Sequence, residues 1–364
     1  MRRAFAAVLL AALLFAGFRS IGPLPPLGPL LDPADGAWAI AAATTFPPRQ
    51  SAGIAGLSDT VAILFDDRGV PHIFASSILD ASRALGYVEA RDRLFQMEVQ
   101  TRAASGRLTE WAGSDVLQLD RESRAIGLAW GAERKLAAYD TASPGYAAIE
   151  AYADGVNAWI AGMRPRDMPI EYRLLNVRPI KWEPIHSFYF LSRMSLTLGL
   201  NDATVRRLRA QALVGKAAAD ALFPVNSPIQ QPVQPNGLPK PRFNFAPLPP
   251  PGRPDNSAAA PSNAYQTVIA ALRFGKEAST SDAIGSNNWA VAPRRTSAGH
   301  ALLAGDPHLD LTLPSVWYEM HIVVPGKVDV AGVGFPGVPG VVIGFNRDVA
   351  WTFTNTSSDV NDFY

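Results

Sequence analysis

Apolar and polar residues alternate near the start of the folded part of the chain. Val61, Ile63 and Phe65 are separated by smaller residues, and turn-forming residues at 66–69 lead into a second apolar run at 70–74. Period-two alternation interrupted by Asp and Gly is typical of two strands joined by a tight turn. The pattern therefore predicts a β-hairpin at 61–74.

Helical spacing replaces this alternation from Ser77 onward. Apolar residues recur every three or four positions over 77–106, and the pairs Glu89/Arg93 and Glu98/Arg102 stand four residues apart. This spacing predicts a long helix whose surface carries i,i+4 ion pairs. Further helices are predicted at 147–163, 185–198 and 202–221, with prolines between them.

The composition changes after residue 222. Prolines are repeated from 223 to 263 while large aliphatic residues are few, which indicates a poorly packed, exposed linker. Short apolar runs separated by Gly, Pro, Asn or Asp then predict strands at 289–291, 301–304, 316–324, 328–333, 341–345 and 349–353. A mostly helical first half followed by strands predicts an α+β fold.

Charge and cysteine content exclude several classes of protein. The 364 residues include 33 Lys plus Arg, 32 Asp plus Glu and no Cys. Nearly balanced charge leaves no basic excess for a phosphate backbone, so we expect no nucleic-acid partner. The absence of Cys excludes disulfides, thiolate metal sites and a cysteine nucleophile.

The N-terminus has the form of an export signal. Arg2 and Arg3 precede an apolar run at 4–18, which is shorter than the roughly 20 residues of a comfortable membrane span. We expect an exported protein, periplasmic or extracellular, whose first 36 residues are a signal peptide or an uncleaved anchor with a Pro-rich segment. No other integral membrane role is expected.

Two motifs resemble ligand sites but lack the right context. Gly332, Gly334 and Gly337 match the dinucleotide-binding pattern, yet a turn and a strand follow where a helix is required. The segment 306–310 offers Asp and His side chains, but without further ligands a hydrogen-bonded His308 is favoured over a catalytic metal. No Gly-x-Ser-x-Gly elbow is present, although a Ser-His-Asp triad assembled from distant residues stays open.

A serine follows a glycine at Gly285-Ser286, where the linker gives way to the first predicted strand of the sheet. Around these residues the chain resembles the penicillin acylase family of N-terminal-nucleophile hydrolases, which includes acyl-homoserine lactone acylases. The motifs that carry the resemblance are Asp67-Arg68-Gly69-Val70-Pro71-His72-Ile73, Ala90-Arg91-Asp92-Arg93-Leu94-Phe95-Gln96-Met97, Gly285-Ser286-Asn287-Asn288-Trp289, Asp306-Pro307-His308-Leu309 and Pro339-Gly340-Val341-Val342-Ile343-Gly344-Phe345-Asn346.

The resemblance implies a precursor that cuts itself between Gly285 and Ser286. It implies a mainly helical α-chain region at 37–222, a spacer at 223–285 and the start of a β-chain at 286–364, which form a heterodimer after processing. The implied fold is the αββα sandwich of these hydrolases, incomplete on its C-terminal side. Since relatives have a much longer β-chain, we expect an N-terminal fragment with little turnover on its own.

Site residues also follow from the resemblance. Ser286 would supply both the nucleophilic hydroxyl and the α-amino base, and His308 would steady that amine. The backbone N–H of Asn355 would donate to the oxyanion. A hydrophobic acyl pocket is implied at Met194, Leu198, Leu309, Ile343 and Phe353.

A structural Ca²⁺ is implied as well, since relatives bind one and Asp359 and Asp362 match part of its ligand set. The helical segment near Thr204 and Val205 lacks the acidic ligand of the family. No organic cofactor is expected.

The function implied is hydrolysis of a small N-acyl amide with a hydrophobic acyl group, of the penicillin or acyl-homoserine lactone type, through an acyl-enzyme on Ser286. The alternative is a catalytically inactive acylase-like module that binds an acylated ligand or a partner. A serine hydrolase with a conventional triad would instead keep its activity without processing.

Overall fold

The computed structural model describes residues 2–19, 26–33, 36–37, 39, 51–164, 167–199, 203–224, 286–309 and 311–355. Almost all of the predicted spacer, from 225 to 285, lies outside these residues. The chain forms two compact units, one of Met1–Ser195 with Asp282–Thr354 and one of Leu196–Ser281 with Asn355–Tyr364.

The described helices are α1 (Arg2–Gly17), α2 (Leu27–Leu31), α3 (Ile78–Ser105), α4 (Thr109–Ala112), α5 (Leu117–Ile126), α6 (Leu128–Ala138), α7 (Pro144–Gly162), α8 (Ile170–Leu174), α9 (Pro184–Gly199), α10 (Ala203–Val214) and α11 (Lys216–Leu222). Short 3₁₀ turns occupy Gly113–Val116 and Pro293–Arg295. No helix in the described ranges is long and apolar enough to cross a membrane.

Helix α3 is the predicted long helix, and its ends follow from its sequence. The Ser77 hydroxyl accepts a hydrogen bond from the Asp80 amide at 3.0 Å, which caps the N-terminus. Gly106 ends the helix in the left-handed conformation, with a φ of 64° that an L-residue rarely adopts. Both ends agree with the prediction.

The predicted ion pairs along α3 are wrong. The Glu89 and Glu98 side chains are fully buried, and they bond to Tyr152 and to the Ile180 amide, respectively. The Arg102 guanidinium pairs instead with Glu110, at 2.6 Å. The i,i+4 spacing predicted pairing within the helix, whereas packing of the rest of the chain buries these carboxylates and gives them other partners.

Helices α3 and α7 pack backbone against backbone. A Cβ added to Gly155 would overlap the carbonyl oxygen of Arg83, and one added to Gly86 would overlap that of Tyr152. Glycine is therefore required at both positions because the two helix backbones approach each other closely, and not because either residue has an unusual backbone conformation. The contact places α7 against the N-terminal third of α3.

We expect Gly155→Ala to lower the free energy of unfolding by about 1–3 kcal/mol, because a Cβ there forces the two helices apart. Gly131→Ala is the matched control, since Gly131 also lies within a helix but has open space at its Cβ. That control should be neutral or stabilising by up to about 1 kcal/mol. Denaturant unfolding of the two variants measures the difference, and equal effects would contradict the close approach.

Six strands form the main sheet, in the order β1-β2-β5-β6-β7-β8. The strands are β1 (Ala62–Phe65), β2 (Pro71–Phe74), β5 (Tyr318–Val324), β6 (Val328–Gly334), β7 (Ile343–Asn346) and β8 (Ala350–Trp351). Strands β2 and β5 run parallel and the other neighbours antiparallel. The predicted hairpin at 61–74 is confirmed as β1 and β2.

One face of the main sheet is covered by helices. Along β5, Tyr318, Met320 and Ile322 are buried while the residues between them are more exposed. The buried residues belong to a core that includes Leu85 and Val88 of α3. Sheet and helices therefore share one core, and the predicted α+β fold with its mostly helical first half is confirmed.

A separate two-stranded antiparallel sheet is formed by β3 (Ser286–Val291) and β4 (Leu302–Pro307). Strand β3 begins three residues earlier than predicted, because the polar residues Asn287 and Asn288 pair in the ladder. The single helix predicted at 202–221 is wrong. It is divided into α10 and α11 at Gly215, whose φ of 78° is incompatible with a continuous helix.

Candidate active site

Ser286 is the first residue of β3, and its side chain is half-buried. In the antiparallel ladder it lies opposite Pro307, the last residue of β4. His308 follows Pro307 directly, so the register brings the candidate nucleophile and the predicted amine-steadying histidine to the same end of this sheet. Gly285 lies outside the described residues.

The His308 ring is oriented by a carboxylate on its own segment. Its Nε2 lies 3.1 Å from Oδ2 of Asp306. This is the hydrogen-bonded histidine that the sequence favoured over a metal ligand. Within the described ranges, no group of three or more His, Asp or Glu side chains is arranged to hold a metal ion.

Strand β4 is fixed by a contact with the chain that follows β8. A Cβ on Gly305 would overlap the Thr352 side chain, so Thr352 packs directly on the backbone of β4. The hydroxyls of Thr352 and Thr354 are buried and have no hydrogen-bond partner among the described residues. The role of Thr352 beside the Ser286 sheet was not found from the sequence, where nothing distinguishes this residue from an ordinary strand residue.

Asn355, the predicted oxyanion donor, belongs to the second unit. Its side-chain Nδ2 donates a hydrogen bond to the carbonyl oxygen of Leu198 at 2.6 Å. This contact joins two of the predicted site residues to each other. The role predicted for the Asn355 backbone N–H stays a prediction.

An apolar cluster forms where α9 meets the ends of β4, β5 and β6. Phe190, Met194 and Phe335 are buried at its centre. Half-buried residues that pack against them are Leu309, Val316, Trp317, Val338 and Val342. The rings of Trp317 and Phe335 stack with their centroids 4.5 Å apart. We call this group the aromatic cluster.

Two of the predicted pocket residues, Met194 and Leu309, lie together in the aromatic cluster. Ile343 is half-buried beside Val342, and the Phe353 side chain is 59% exposed. Neither belongs to the cluster as the described residues form it. The sequence missed the three aromatic members, because the cluster depends on contacts between distant residues such as Phe190 and Phe335, whose ring centroids are 5.5 Å apart.

An apolar cavity of about 390 Å³ adjoins the aromatic cluster and shares Val338 with it. Its walls include Phe188 and Leu191 of α9 and Val330 and Val341 on the sheet side. A volume of this size is in the range of small-ligand sites, which run from roughly 300 to 1,000 Å³. The lining offers an acyl group apolar contact.

A buried hydrogen-bond network anchors the turn that carries Phe335 and Val338. The Gly337 amide donates to the Tyr152 hydroxyl at 2.8 Å and to Glu89 Oε2 at 3.1 Å, and the Tyr152 hydroxyl donates to the same carboxyl group. Ser187 donates to the Gly337 carbonyl at 2.6 Å. Three helices thereby fix one turn of the aromatic cluster.

Burial controls the protonation of this network. Desolvation raises the pKa of Glu89 to about 8, against the opposing effect of its hydrogen bonds from Tyr152 and Gly337. Desolvation likewise raises the pKa of Glu98 to about 7. At neutral pH Glu89 is therefore mostly a neutral acid.

The remaining predicted site residues, Asp359 and Asp362, lie outside the described residues. The Ca²⁺ that the resemblance implies stays a prediction for that reason.

Several known proteins are similar to this chain in sequence. The sequence profile of the penicillin amidase family matches residues 60–364. The chain is 36% identical over 319 residues to penicillin acylase 2 proenzyme of Pseudomonas sp. (strain SE83), covering 87% of this chain and 39% of that protein. It is 35% identical over 329 residues to acyl-homoserine lactone acylase QuiP of Pseudomonas aeruginosa, covering 88% and 36%.

Among solved structures, the thermostable penicillin G acylase of Alcaligenes faecalis matches with a TM-score of 0.40 at 26% identity, covering 50% of this chain and 98% of that one. The chain belongs to the penicillin amidase family. It spans less than two fifths of the length of the two Pseudomonas relatives.

Proposed function

We propose that this chain belongs to a self-processing acylase that hydrolyses N-acyl amides with a hydrophobic acyl group. The observation that carries the proposal is the position of Ser286, the first residue of β3 and opposite Pro307, in a chain of the penicillin amidase family. The names of the relatives point to penicillins and acyl-homoserine lactones as the substrate types to test first.

The domain organisation follows from this proposal. Cleavage between Gly285 and Ser286 would free a β-chain that starts at β3, and a second cleavage that removes the spacer at 223–285 would leave the helical α-chain. The word proenzyme in the name of one relative supports such processing. The two chains would stay together as a heterodimer, because β2 and β5 pair across the proposed cut.

The chemistry needs only one residue for attack and proton transfer. An N-terminal α-amine has a pKa of roughly 7.7–8.0, so a fraction is neutral at pH 7 and can accept the Ser286 hydroxyl proton. The Oγ attacks the amide carbonyl carbon, and the collapse of the tetrahedral species passes that proton to the leaving amine. Water then attacks the ester, which releases the carboxylic acid and returns the proton to Ser286.

Oxyanion stabilisation is the part that other residues must supply. Removal of a single fixed donor costs roughly 3–4 kcal/mol of transition-state stabilisation. We assign one donor to the Asn355 backbone N–H, whose position follows from the family resemblance. We assign to His308 the role of orienting the α-amine, which its position at the neighbouring strand end and its contact with Asp306 at 3.1 Å support.

The test of this function is a panel of acyl amides offered to the protein expressed with its natural downstream sequence. Phenylacetyl, medium-chain and long-chain acyl groups on amine leaving groups should give free acid and free amine in equal amounts. Absence of hydrolysis across the panel, with ligands still bound, would favour the inactive binding module instead.

Substitutions in the aromatic cluster should change acyl preference. We expect Met194→Ala and Leu309→Ala to raise kcat/KM for longer acyl chains relative to shorter ones by about 10-fold, since one methylene in an apolar pocket is worth roughly 1–3 kcal/mol. Leu213→Ala is the control, because that side chain is 72% exposed on α10. Equal losses for every chain length would show that these residues only support the fold.

A further inference from the structure

Two histidines face each other on the sheet surface opposite the helices. His72 of β2 and His321 of β5 are direct partners in the parallel ladder, so their side chains lie side by side. Their Nδ1 atoms are 3.0 Å apart, and their side chains are 34% and 25% exposed. The pair lies in the main sheet, outside the two-stranded sheet that carries Ser286.

Each imidazole has a carboxylate on its outer side. Nε2 of His321 lies 2.9 Å from Oδ1 of Asp329, a diagonal neighbour on β6. Nε2 of His72 faces Oδ2 of Asp66 at 3.9 Å. The other Asp66 oxygen accepts the amides of Arg68 and Val70 at 2.9 and 2.8 Å, so this carboxylate is held in place.

This arrangement sets the tautomers. A carboxylate accepts hydrogen bonds, so Asp329 keeps a proton on Nε2 of His321 and Asp66 favours the same tautomer of His72. The two Nδ1 atoms then face each other with their lone pairs. Two lone pairs 3.0 Å apart repel each other, so the contact needs either a proton that one ring donates to the other in an N–H···N hydrogen bond or a metal ion between the rings.

The geometry and the charges suit a metal ion. Two imidazole nitrogens on one tetrahedral Zn²⁺, with bonds of roughly 2.0–2.1 Å, lie roughly 3.3 Å apart, close to the observed separation. Carboxylates that accept the second ring N–H are the usual outer partners of metal-bound histidines. The nearby cation, Arg68, is engaged by Glu319 at 3.0 and 3.3 Å and also lies 3.6 Å from Oδ2 of Asp66. This single positive charge faces the carboxylates of Glu319, Asp66 and Asp329, so the surroundings of the histidine pair carry net negative charge.

We propose that His72 and His321 bind one divalent transition-metal ion of the Zn²⁺ type through their Nδ1 atoms, with water completing the coordination at this half-exposed surface. Imidazole ligands select Zn²⁺, Co²⁺, Ni²⁺ or Cu²⁺ over Ca²⁺ and Mg²⁺. The ion bridges β2, before the proposed spacer, to β5, after it. The metal ion would therefore link the two chains across the cut, and this consequence rests on the proposed processing.

The experiment uses the untagged full chain in its unprocessed form, so its outcome does not depend on cleavage or activity. Zn²⁺ is titrated against a chromophoric chelator for the wild type and for His72→Gln, His321→Gln, Asp329→Asn and His300→Gln. We expect one Zn²⁺ per wild-type chain, at least 10-fold weaker binding for the first two variants, and 10- to 100-fold weaker binding for Asp329→Asn. His300, in an exposed turn, is the matched control and should bind like the wild type.

A second measurement needs no variant and guards against misfolding. Zn²⁺ should shift the ¹⁵N resonances of the two Nδ1 atoms in the wild-type protein and leave both Nε2 atoms protonated. Zn²⁺ binding that survives His72→Gln and His321→Gln would overturn the proposal. So would Nδ1 resonances that do not respond to Zn²⁺, since the pair then shares only a proton.

Discussion

Replacing Ser286 with alanine in the complete precursor should leave the chain uncut before residue 286 and lower kcat/KM for the acyl amide by about 10⁶-fold. The loss is large because the same hydroxyl is proposed to attack both the Gly285 carbonyl and the substrate. The proposed base, the α-amine of the same residue, cannot replace the missing hydroxyl as the attacking group.

Two controls distinguish the loss of the nucleophile from a disruption of the fold. Ser297→Ala alters an exposed serine in the turn after β3 and should be cut and active like the wild type. Expressing the two parts as separate chains, the second beginning at residue 286, removes the need for cleavage. Ser286→Ala should remain inactive in that form, and activity there would assign the nucleophile to another residue.

The free energy of unfolding should fall as the pH rises from 6.5 to 8, by up to about 1.4 kcal/mol per pH unit for each buried acid that is still protonated in the folded state. Burial raises the pKa of Glu89 to about 8 in the folded chain, from an ordinary value of 4.5. The folded state then holds a proton that the unfolded state has lost, so each step in pH favours unfolding until the pH passes the folded value. Glu98 acts in the same direction up to its pKa of about 7.

The range from pH 6.5 to pH 8 excludes the protonation of His186, which would change the free energy of unfolding in the opposite direction. Desolvation lowers the pKa of His186 from 6.5 to about 4, so this ring favours unfolding only as the pH falls below 6.5. Above that value the histidine is mostly neutral in both states. The slope between pH 7 and pH 8 therefore reports mainly on Glu89.

Glu89→Gln should remove most of that slope, because an amide cannot titrate and still accepts the Tyr152 hydroxyl. Glu150→Gln, on the exposed side of α7, is the matched control and should keep the wild-type slope. Urea unfolding at closely spaced pH values provides the measurement. A wild-type stability that is flat or rises from pH 7 to pH 8 would contradict a neutral, buried Glu89.

Local signals predicted the elements that depend on neighbouring residues. The ends of α3 follow from the Ser77 cap and from Gly106, and the β1–β2 hairpin follows from alternation around a turn. The division of α10 from α11 at Gly215 was missed, since one glycine in a helical pattern is often tolerated. The positive φ of Gly215 shows that this glycine interrupts the helix.

The aromatic cluster and the burial of Glu89 depend on contacts between distant residues, which local signals do not predict. Met194 and Leu309 could be assigned to a pocket only through the family resemblance, and their aromatic neighbours Phe190 and Phe335 were missed. Glu89 was predicted to pair with Arg93 because the two residues are four positions apart. Only the packing of α7 and of the turn at Gly337 makes it a buried acid.

The most direct test is mass spectrometry of active protein purified from the full-length gene. We expect two chains, the second beginning with Ser286-Asn287-Asn288-Trp289, and turnover that appears in step with that new terminus. Full amide hydrolysis by material whose Gly285–Ser286 bond is intact would contradict the account.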